Sequence, residues 1–398
     1  MNILLLTREY KHSTLPTCGG TGSFMASFAK ELVNKQHNVY VLGINKSAIT
    51  FNDEGVSIHY YKNLFRRNPL VNFFRSLTKK VSFLRFLHFK IHEYEKKDVA
   101  KIVANFIEKQ QIKFDIIETH DFEGLYLYLD QSIPIVIRCH GSFSVLEKYF
   151  NYKGVEFGKK HCEELAFKKA KNVVSISEFS EVVNKDLFGI TNFKRIYNGI
   201  DTSVFRIVEN EKIIPKSIFY FGTVAMEKGA DTAIQILLKI LETESETSLH
   251  FVGIENNIYK IELLKIIEEH KIEDKVHFYG FQKTENIIQL LSKAEVAIFP
   301  SKGETFGLAL CETMSLSKPV ITSNIPSFNE IIISGENGFI ANTIEEYCGY
   351  IESLFNSKTL SDSIKVKARN MVIERFSQEK MIKETLAYYN EVIEENQG

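Results

Sequence analysis

Glu304 and Glu312 bracket an apolar run in GETFGLALCE, residues 303–312. Isolated carboxylates are costly to bury, so two of them around such a run call for polar partners. Glu304 falls in a loop after the apolar stretch VAIFP, and a helix is predicted to start near Phe306 with Thr305 as its N-cap. Gly307 would let a ligand approach the first-turn amides. Glu312 lies about two turns further on, where its reach is toward polar groups beside the helix. Three other places carry chemistry of the same kind. Lys228 and Gly229 sit at a helix entrance in YFGTVAMEKGADTAIQIL, where an ammonium and free amides suit a phosphate, although a solvated lysine is the plainer reading there. Gly19, Gly20 and Gly22 precede a helix in CGGTGSFMASFAKEL and leave backbone amides unshielded, but they lie a dozen residues past Thr7 and lack a third glycine of the dinucleotide fingerprint. His140, in VIRCHGSF, ends a predicted strand, where an imidazole faces ligands more often than elsewhere, while a lone histidine is more often structural.

These residues need a frame that brings loop tips together. Short β-rich apolar runs alternate with amphipathic helical segments along the whole chain: NILLLT, NVYVLG, FDIIET, PIVIRCH and NVVSIS in the first half, SIFYFG, SLHFVG, KVHFYG, VAIFPS and PVITSN in the second. That pattern predicts two α/β domains, each a doubly wound sheet, with ligands outside the C-terminal strand ends and a cleft between the domains as the default site. Periodicity fades over GIDTSVFRIVENEKIIP, residues 199–215. The expected domains are 1–205, 206–378 and a C-terminal helix, 379–398, able to pack on either one.

Composition sets the outer bounds. A chain of 398 residues exceeds what one core usually supports, and 44% apolar with 25% charged residues is ordinary for a globular protein. A formal net charge of −1 leaves no whole-protein attraction for nucleic acid. Cys18, Cys139, Cys162, Cys311 and Cys348 show no metal-type spacing, and their odd number argues against a disulfide framework and for a reducing compartment. The first residues read as a buried strand rather than a leader. No run of about eighteen apolar residues predicts a membrane span.

Taken together, the motifs resemble the retaining, nucleotide-sugar-dependent glycosyltransferases of GT-B fold, in the large family of glycogen-synthase-like and lipopolysaccharide-type enzymes (group 1). The resemblance covers nearly the whole chain and is strongest from 195 to 340. It rests on the Glu-x7-Glu pair, the glycine loop, His140 with Gly141, RIYNGIDTSVF, and FYGFQKTENIIQLLSKAEVAIFPS. It implies two Rossmann-like domains facing a cleft. Catalytic roles fall to Glu304 at the donor sugar, His140 near the reacting carbon, and Lys228 at the leaving diphosphate. Donor binding falls to Gly19, Gly20, Gly22, Thr223, the amides of Phe306, Gly307 and Leu308, and Glu312 at the ribose. No metal or other cofactor is expected, since cations and amides stabilise the leaving group, and the absence of D-x-D agrees. No residue is an obvious covalent nucleophile, which favours front-face attack. Three departures stand out. Thr223 occupies the place of an arginine that a hydroxyl cannot replace. Ser317 occupies that of a glycine. Glu118 stands first in a pair usually His-x-His, with His120 second, on the side that commonly faces the acceptor.

The implied activity is transfer of one sugar to a glycan or lipid-linked acceptor, as in surface polysaccharide assembly. A nucleotide-sugar epimerase and a silent glycan-binding paralogue are the alternatives. Residues 55–92 add a feature of their own. They contain no Asp or Glu, and Lys62, Arg66, Arg67, Arg75, Lys79, Lys80, Arg85 and Lys90 interleave with Phe65, Phe73, Phe74, Phe83, Phe86 and Phe89. Residues 62–92 are therefore expected either to lie on an anionic membrane surface, making a cytoplasmic protein peripheral to the inner face, or to bury their phenylalanines in a core.

Overall fold

A computed structural model describes every residue except 17, 46, 47, 64, 66, 67 and 398, so Arg66 and Arg67 of the basic stretch lie outside the described residues. The chain forms two units, Met1–Tyr197 with Met381–Gly398, and Asn198–Lys380.

The first unit is built on strands β1 (Asn2–Thr7), β2 (Asn38–Asn45), β3 (Ile49–Asp53), β4 (Val56–Lys62), β5 (Ile116–His120), β6 (Ile135–Cys139), β7 (Asn172–Ser175) and β8 (Lys194–Arg195). Their order in the sheet is β3-β4-β2-β1-β5-β6-β7-β8. The apolar runs make near-continuous buried strands because helices cover both faces. Those helices are α1 (Gly20–Asn34), α2 (Pro69–Lys80), α3 (Arg85–Gln110), α4 (Phe143–Phe150), α5 (Phe157–Phe167) and α6 (Glu178–Phe188). One core layer joins β1 and β2 to Phe24, Met25 and Phe28 of α1, and a second joins the other face to Val99, Val103 and Phe106 of α3. Sequence order reverses between β1 and β5, which opens the switch point where such sheets hold ligands.

The edge pair β3–β4 is antiparallel, a departure from the all-parallel reading. Glu54 and Gly55, both at positive φ, make its tight turn, and the Asn52 side chain accepts from the Gly55 amide.

In the second unit the strands are β9 (Ser217–Phe221), β10 (Ser248–Val252), β11 (Val276–Phe278), β12 (Val296–Phe299), β13 (Val320–Ser323) and β14 (Phe339–Ala341), in the order β11-β10-β9-β12-β13-β14 with every pairing parallel. Its switch point lies between β9 and β12. Among its helices are α7 (Ala230–Ile240), α8 (Asn257–Glu269), α9 (Thr284–Ser292), α10 (Leu308–Ser315), α11 (Pro326–Asn329), α12 (Ile344–Asn356) and α13 (Lys358–Arg375). Ile234 and Leu237 of α7 and Ile351 and Leu354 of α12 fill one core with the strands.

The last helix, α14 (Gln378–Gln397), carries Met381, Ile382, Tyr389 and Val392 into the core of the first unit. Below that surface lies a fully buried ion pair. Arg138 meets Glu118 through Nε at 2.8 Å and Nη2 at 3.1 Å, and Tyr389 donates its hydroxyl to Glu118 at 2.6 Å. Arg138 also lies over the Phe24 and Phe28 rings.

Candidate active site

In the second unit the loops leaving β9 and β12 meet at the switch point. The β9 loop runs through Thr223 into a short turn, Met226–Lys228, closed by Gly229 at φ 72°. A Cβ at Gly229 would lie 2.0 Å from the Pro300 carbonyl oxygen, so glycine is what lets this turn press against the β12 loop. One further bond locks the contact, the Lys302 amide donating to the Glu227 carbonyl at 3.0 Å, while the Tyr220 hydroxyl shares its proton between the carbonyls of Thr223 and Lys228 and so holds the β9 loop itself. The consequence is that Lys228 Nζ stands 2.6 Å from Glu304 Oε1, and Ser301 Oγ donates to the same oxygen at 3.3 Å. Both partners keep solvent contact, with side chains 33% and 22% exposed, so the pair is open to a ligand.

Helix α10 starts at Leu308, not at Phe306, and its N-cap is Gly307 at φ 120° with no side-chain cap. Thr305 is therefore not the cap. The reason is packing: Phe306 turns inward, 2% exposed, with its ring 5.5 Å from Phe376, and the chain reverses at Gly307, where a Cβ would meet the Phe328 ring at 2.8 Å. Gly307, as the N-cap, brings no side chain of its own to the first-turn amides of α10. Glu312 is half-buried on α10, and Thr223 is exposed where a guanidinium was expected. A second ammonium on this rim, Lys302, pairs with Asp231 at 3.1 Å. Ser317 holds φ 58°, a left-handed conformation that explains the glycine expected there, and its hydroxyl bonds the Lys365 carbonyl.

In the first unit His140 follows β6. It is 8% exposed, its Nε2 has no hydrogen-bond partner, and its ring meets Phe24 edge-on at 4.6 Å. Burial, with Arg138 and His120 nearby, holds it well below the usual histidine range, so it is a neutral imidazole. The backbone that aims it is held by a residue the sequence reading missed: Asp121 accepts from the His140 amide at 3.1 Å and the Gly141 amide at 3.0 Å. Burial, then the charge of Glu163, pushes Asp121 up to about 7. Glu163 in turn accepts from the amides of Glu123, Phe143 and Ser144, so buried carboxylates organise the whole HGSF loop. The strand-end logic that singled out His140 applies equally to Asp121, which directly follows β5.

Gly19, exposed with open space where a Cβ would stand, caps α1, and Gly20 begins it, also exposed. Gly22 is buried instead; a Cβ there would strike Cys18 Sγ at 2.3 Å, so this glycine serves packing.

The acceptor-side pair needs correction. Glu118 is fully buried and saturated by Arg138 and Tyr389, which fastens α14 to the sheet and leaves nothing to offer a ligand. His120 is also fully buried, with its ring nitrogens 3.2 Å from the amides of Arg8 and Phe122. A neutral ring can accept only one of those bonds. Burial, then Arg8, holds it down to about 3.

The fold and the two switch points define a GT-B-type protein of two parallel-sheet units. A model of "Glycosyl transferases group 1" matches residues 203–371, and one of "Glycosyltransferase Family 4" matches residues 18–204. The chain thus carries a family 4 glycosyltransferase domain followed by a group 1 glycosyltransferase domain. It is 25% identical over 257 residues to the capsular polysaccharide biosynthesis glycosyltransferase CapM of Staphylococcus aureus, a match covering 59% of this chain and 66% of CapM. It is 24% identical to the N-acetyl-alpha-D-glucosaminyl L-malate synthase of Bacillus anthracis, across 96% of this chain and 97% of that one. HepE of Anabaena, solved with UDP and glucose, superposes with a TM-score of 0.72 at 18% identity, over 98% of this chain and 99% of that chain.

Proposed function

We propose that this protein is a retaining glycosyltransferase that moves one sugar from a nucleotide-sugar donor to a glycan or lipid-linked acceptor in surface polysaccharide or glycolipid assembly. The observation that carries this reading is the 2.6 Å pair of Lys228 and Glu304 at the β9–β12 switch point, beside the glycine-capped first turn of α10. A donor's diphosphate is stabilised as it leaves by the Lys228 ammonium and those amides, groups already oriented before charge develops. Glu304, released from Lys228 as the phosphate takes the ammonium, turns to the sugar. Glu312 is assigned to the ribose, and Phe306, Gly307 and Leu308 contribute backbone rather than side chains. His140 offers the unpartnered Nε2 of a neutral ring to the donor sugar, and Gly19 and Gly20 present exposed backbone to the phosphates.

UDP bound in HepE makes uridine diphosphate sugars the first donors to try, and CapM's role in capsule biosynthesis supports a polysaccharide acceptor. Front-face attack, with the departing phosphate taking the acceptor's proton, fits a site in which the Lys228 ammonium stands ready to stabilise that phosphate. Incubation with a panel of UDP, GDP, ADP, CMP and dTDP sugars, with and without acceptor, tests the reading. The expected result is a donor that raises the melting temperature and gives an α-linked product only when acceptor is present. Free sugar formed without acceptor would instead identify an epimerase, and binding without turnover a silent paralogue.

The basic segment supports a peripheral site of action. Leu70, Phe73, Phe83 and Phe86 are 68%, 62%, 82% and 64% exposed, and Phe74 also projects, so these side chains cover no core. Exposed Lys79, Lys80 and Arg85 accompany them, while Arg75 and Lys90 are drawn into pairs with Glu95 and Glu93. An apolar patch rimmed by cations suits an anionic bilayer. No helix among the described residues is long and apolar enough to cross a membrane.

A further inference from the structure

We infer that the first unit holds a divalent transition-metal site of the zinc class, formed by His88, His92 and Glu156, which clips the start of α3 to the loop entering α5. His88 and His92 are one turn apart on the same face of α3. Both are essentially inaccessible, at 0% and 1% exposure. Glu156 occupies the N-cap position of α5 without capping it through its side chain. One ligating atom from each of the three lies within 4.8 Å of the others.

The polar accounting of this cluster points to a missing cation. His88 Nε2 and both ring nitrogens of His92 are buried with no hydrogen-bond partner. Thr78 decides the His88 tautomer. Its hydroxyl donates to the Phe74 carbonyl at 2.7 Å, so at 3.1 Å from His88 Nδ1 it can only accept, and the ring proton must sit on Nδ1. The Nε2 lone pair is therefore turned inward, 4.0 Å from Glu156 Oε1, while His92 Nε2 stands 3.7 Å from the same oxygen. A buried imidazole lone pair facing a carboxylate is repulsive until something positive lies between them.

A zinc-class ion fits that gap. Ligand distances of about 2.0–2.2 Å set the edges of its tetrahedron near ~3.4 Å, so the two separations from Glu156 need shorten by roughly half an ångström or less, and the separation between the two histidines by at most about 1.4 Å, within the reach of a side-chain rotation. Two imidazoles and a carboxylate are the ligand set such ions prefer over calcium or magnesium, and a fourth position is left to solvent. Thr78 plays the outer-sphere part, orienting the His88 ring. Gly158 makes the seat possible, because a Cβ there would lie 2.2 Å from His92 Cδ2 and 2.8 Å from His88 Cδ2. Arg75, whose charge bears on both His88 and Glu156, is held by Glu95 at 2.9 Å, and Arg85 lies over the Phe157 ring. The ion would take no part in sugar transfer; it would fix the helix carrying the exposed Phe86 and Leu87 against the α5 loop.

Titration of the untagged, chelator-stripped chain with Co²⁺, followed by its visible absorption, and then displacement by Zn²⁺ provides the test. The expected result is one tight equivalent with a four-coordinate spectrum and a melting temperature raised by Zn²⁺. Glu156→Gln, half-exposed and so least apt to disturb folding, and His92→Gln should each weaken binding at least tenfold. Thr78→Ala should weaken it roughly tenfold through loss of ring orientation. Absence of a Co²⁺ spectrum in the wild-type chain, or equal affinity in Glu156→Gln and His92→Gln, would overturn the assignment and leave a plain histidine–glutamate pair.

Discussion

At the scale of single residues, function rests on contacts that spacing alone does not reveal. Glu304 and Lys228 are 76 positions apart in sequence, yet one oxygen of Glu304 takes both Lys228 and Ser301. Because the pair is partly exposed, its contribution to folding should be under about 1 kcal/mol. Glu304→Ala should therefore leave the unfolding midpoint nearly unchanged while lowering turnover at least a hundredfold, read by a transfer assay beside a denaturant melt. Full activity in that variant would refute the assignment. His140 could be singled out because the C-terminal end of a strand in an open α/β sheet faces the ligand crevice, although a lone histidine is more often structural. Asp121 was not, because its task is to accept backbone amides, and a buried carboxylate with that task looks in sequence like any loop aspartate.

At the scale of elements, two buried charges make opposite points. Glu118 is a partner of Arg138, and removing it leaves a guanidinium uncompensated in the core beneath α14. Glu118→Ala should cost about 3–5 kcal/mol in urea unfolding, whereas an acceptor-binding role would have predicted near-wild-type stability. Lys318 follows the α10 turn and donates its ammonium to the carbonyls of Ser292 and Ala294. Burial lowers it to about 8 from an ordinary 10.5. Between those values the unfolded chain holds a proton that the native chain has released, so stability should rise as pH goes from about 8 to 10.5. Below about 8 the buried charge weighs against folding. Lys318→Met should flatten this slope, measured as unfolding free energy against pH.

The elements themselves were largely legible. Buried parallel strands carry unbroken apolar runs that stand out without context, as NILLLT and VAIFPS do. The β3–β4 hairpin was missed because its half-exposed alternation is weaker, although the Asp-Glu-Gly turn was a signal. The start of α10 was misplaced because Thr305 is a good cap in isolation, and only the inward turn of Phe306 moves the helix start past Gly307.

For the whole molecule, composition balanced the charges to near zero and hid a local asymmetry in α2 and the start of α3. The two readings of its phenylalanines, core or surface, could not be separated by period alone, since both faces of a short helix rich in Phe look apolar. Burial divides them in the structure, with Phe73, Phe74, Phe83 and Phe86 outward and Phe65 and Phe89 half-buried, Phe89 stacked on His161. The chain should co-sediment with vesicles containing anionic lipid and be released by salt. Replacing Phe73, Phe83 and Phe86 by serine should abolish the binding without affecting transfer to a soluble acceptor. Indifference to anionic lipid would sink the membrane reading.

What the amino-acid sequence determined by itself was the two-sheet α/β architecture, because period and apolar run length are local properties, while the family entered as a resemblance carried by motifs around Glu304, Glu312, Lys228 and His140. What only the tertiary structure decided was which polar groups meet. Glu118 became a core ion pair, Glu304 a ligand-ready partner of Lys228, and His88, His92 and Glu156 one cluster. For the two buried clusters the deciding term is the desolvation of a charge or lone pair, and for the partly exposed Lys228–Glu304 pair it is the close approach of the β9 and β12 loops at Gly229; both depend on neighbours distant in sequence and exist only once the chain has closed around them.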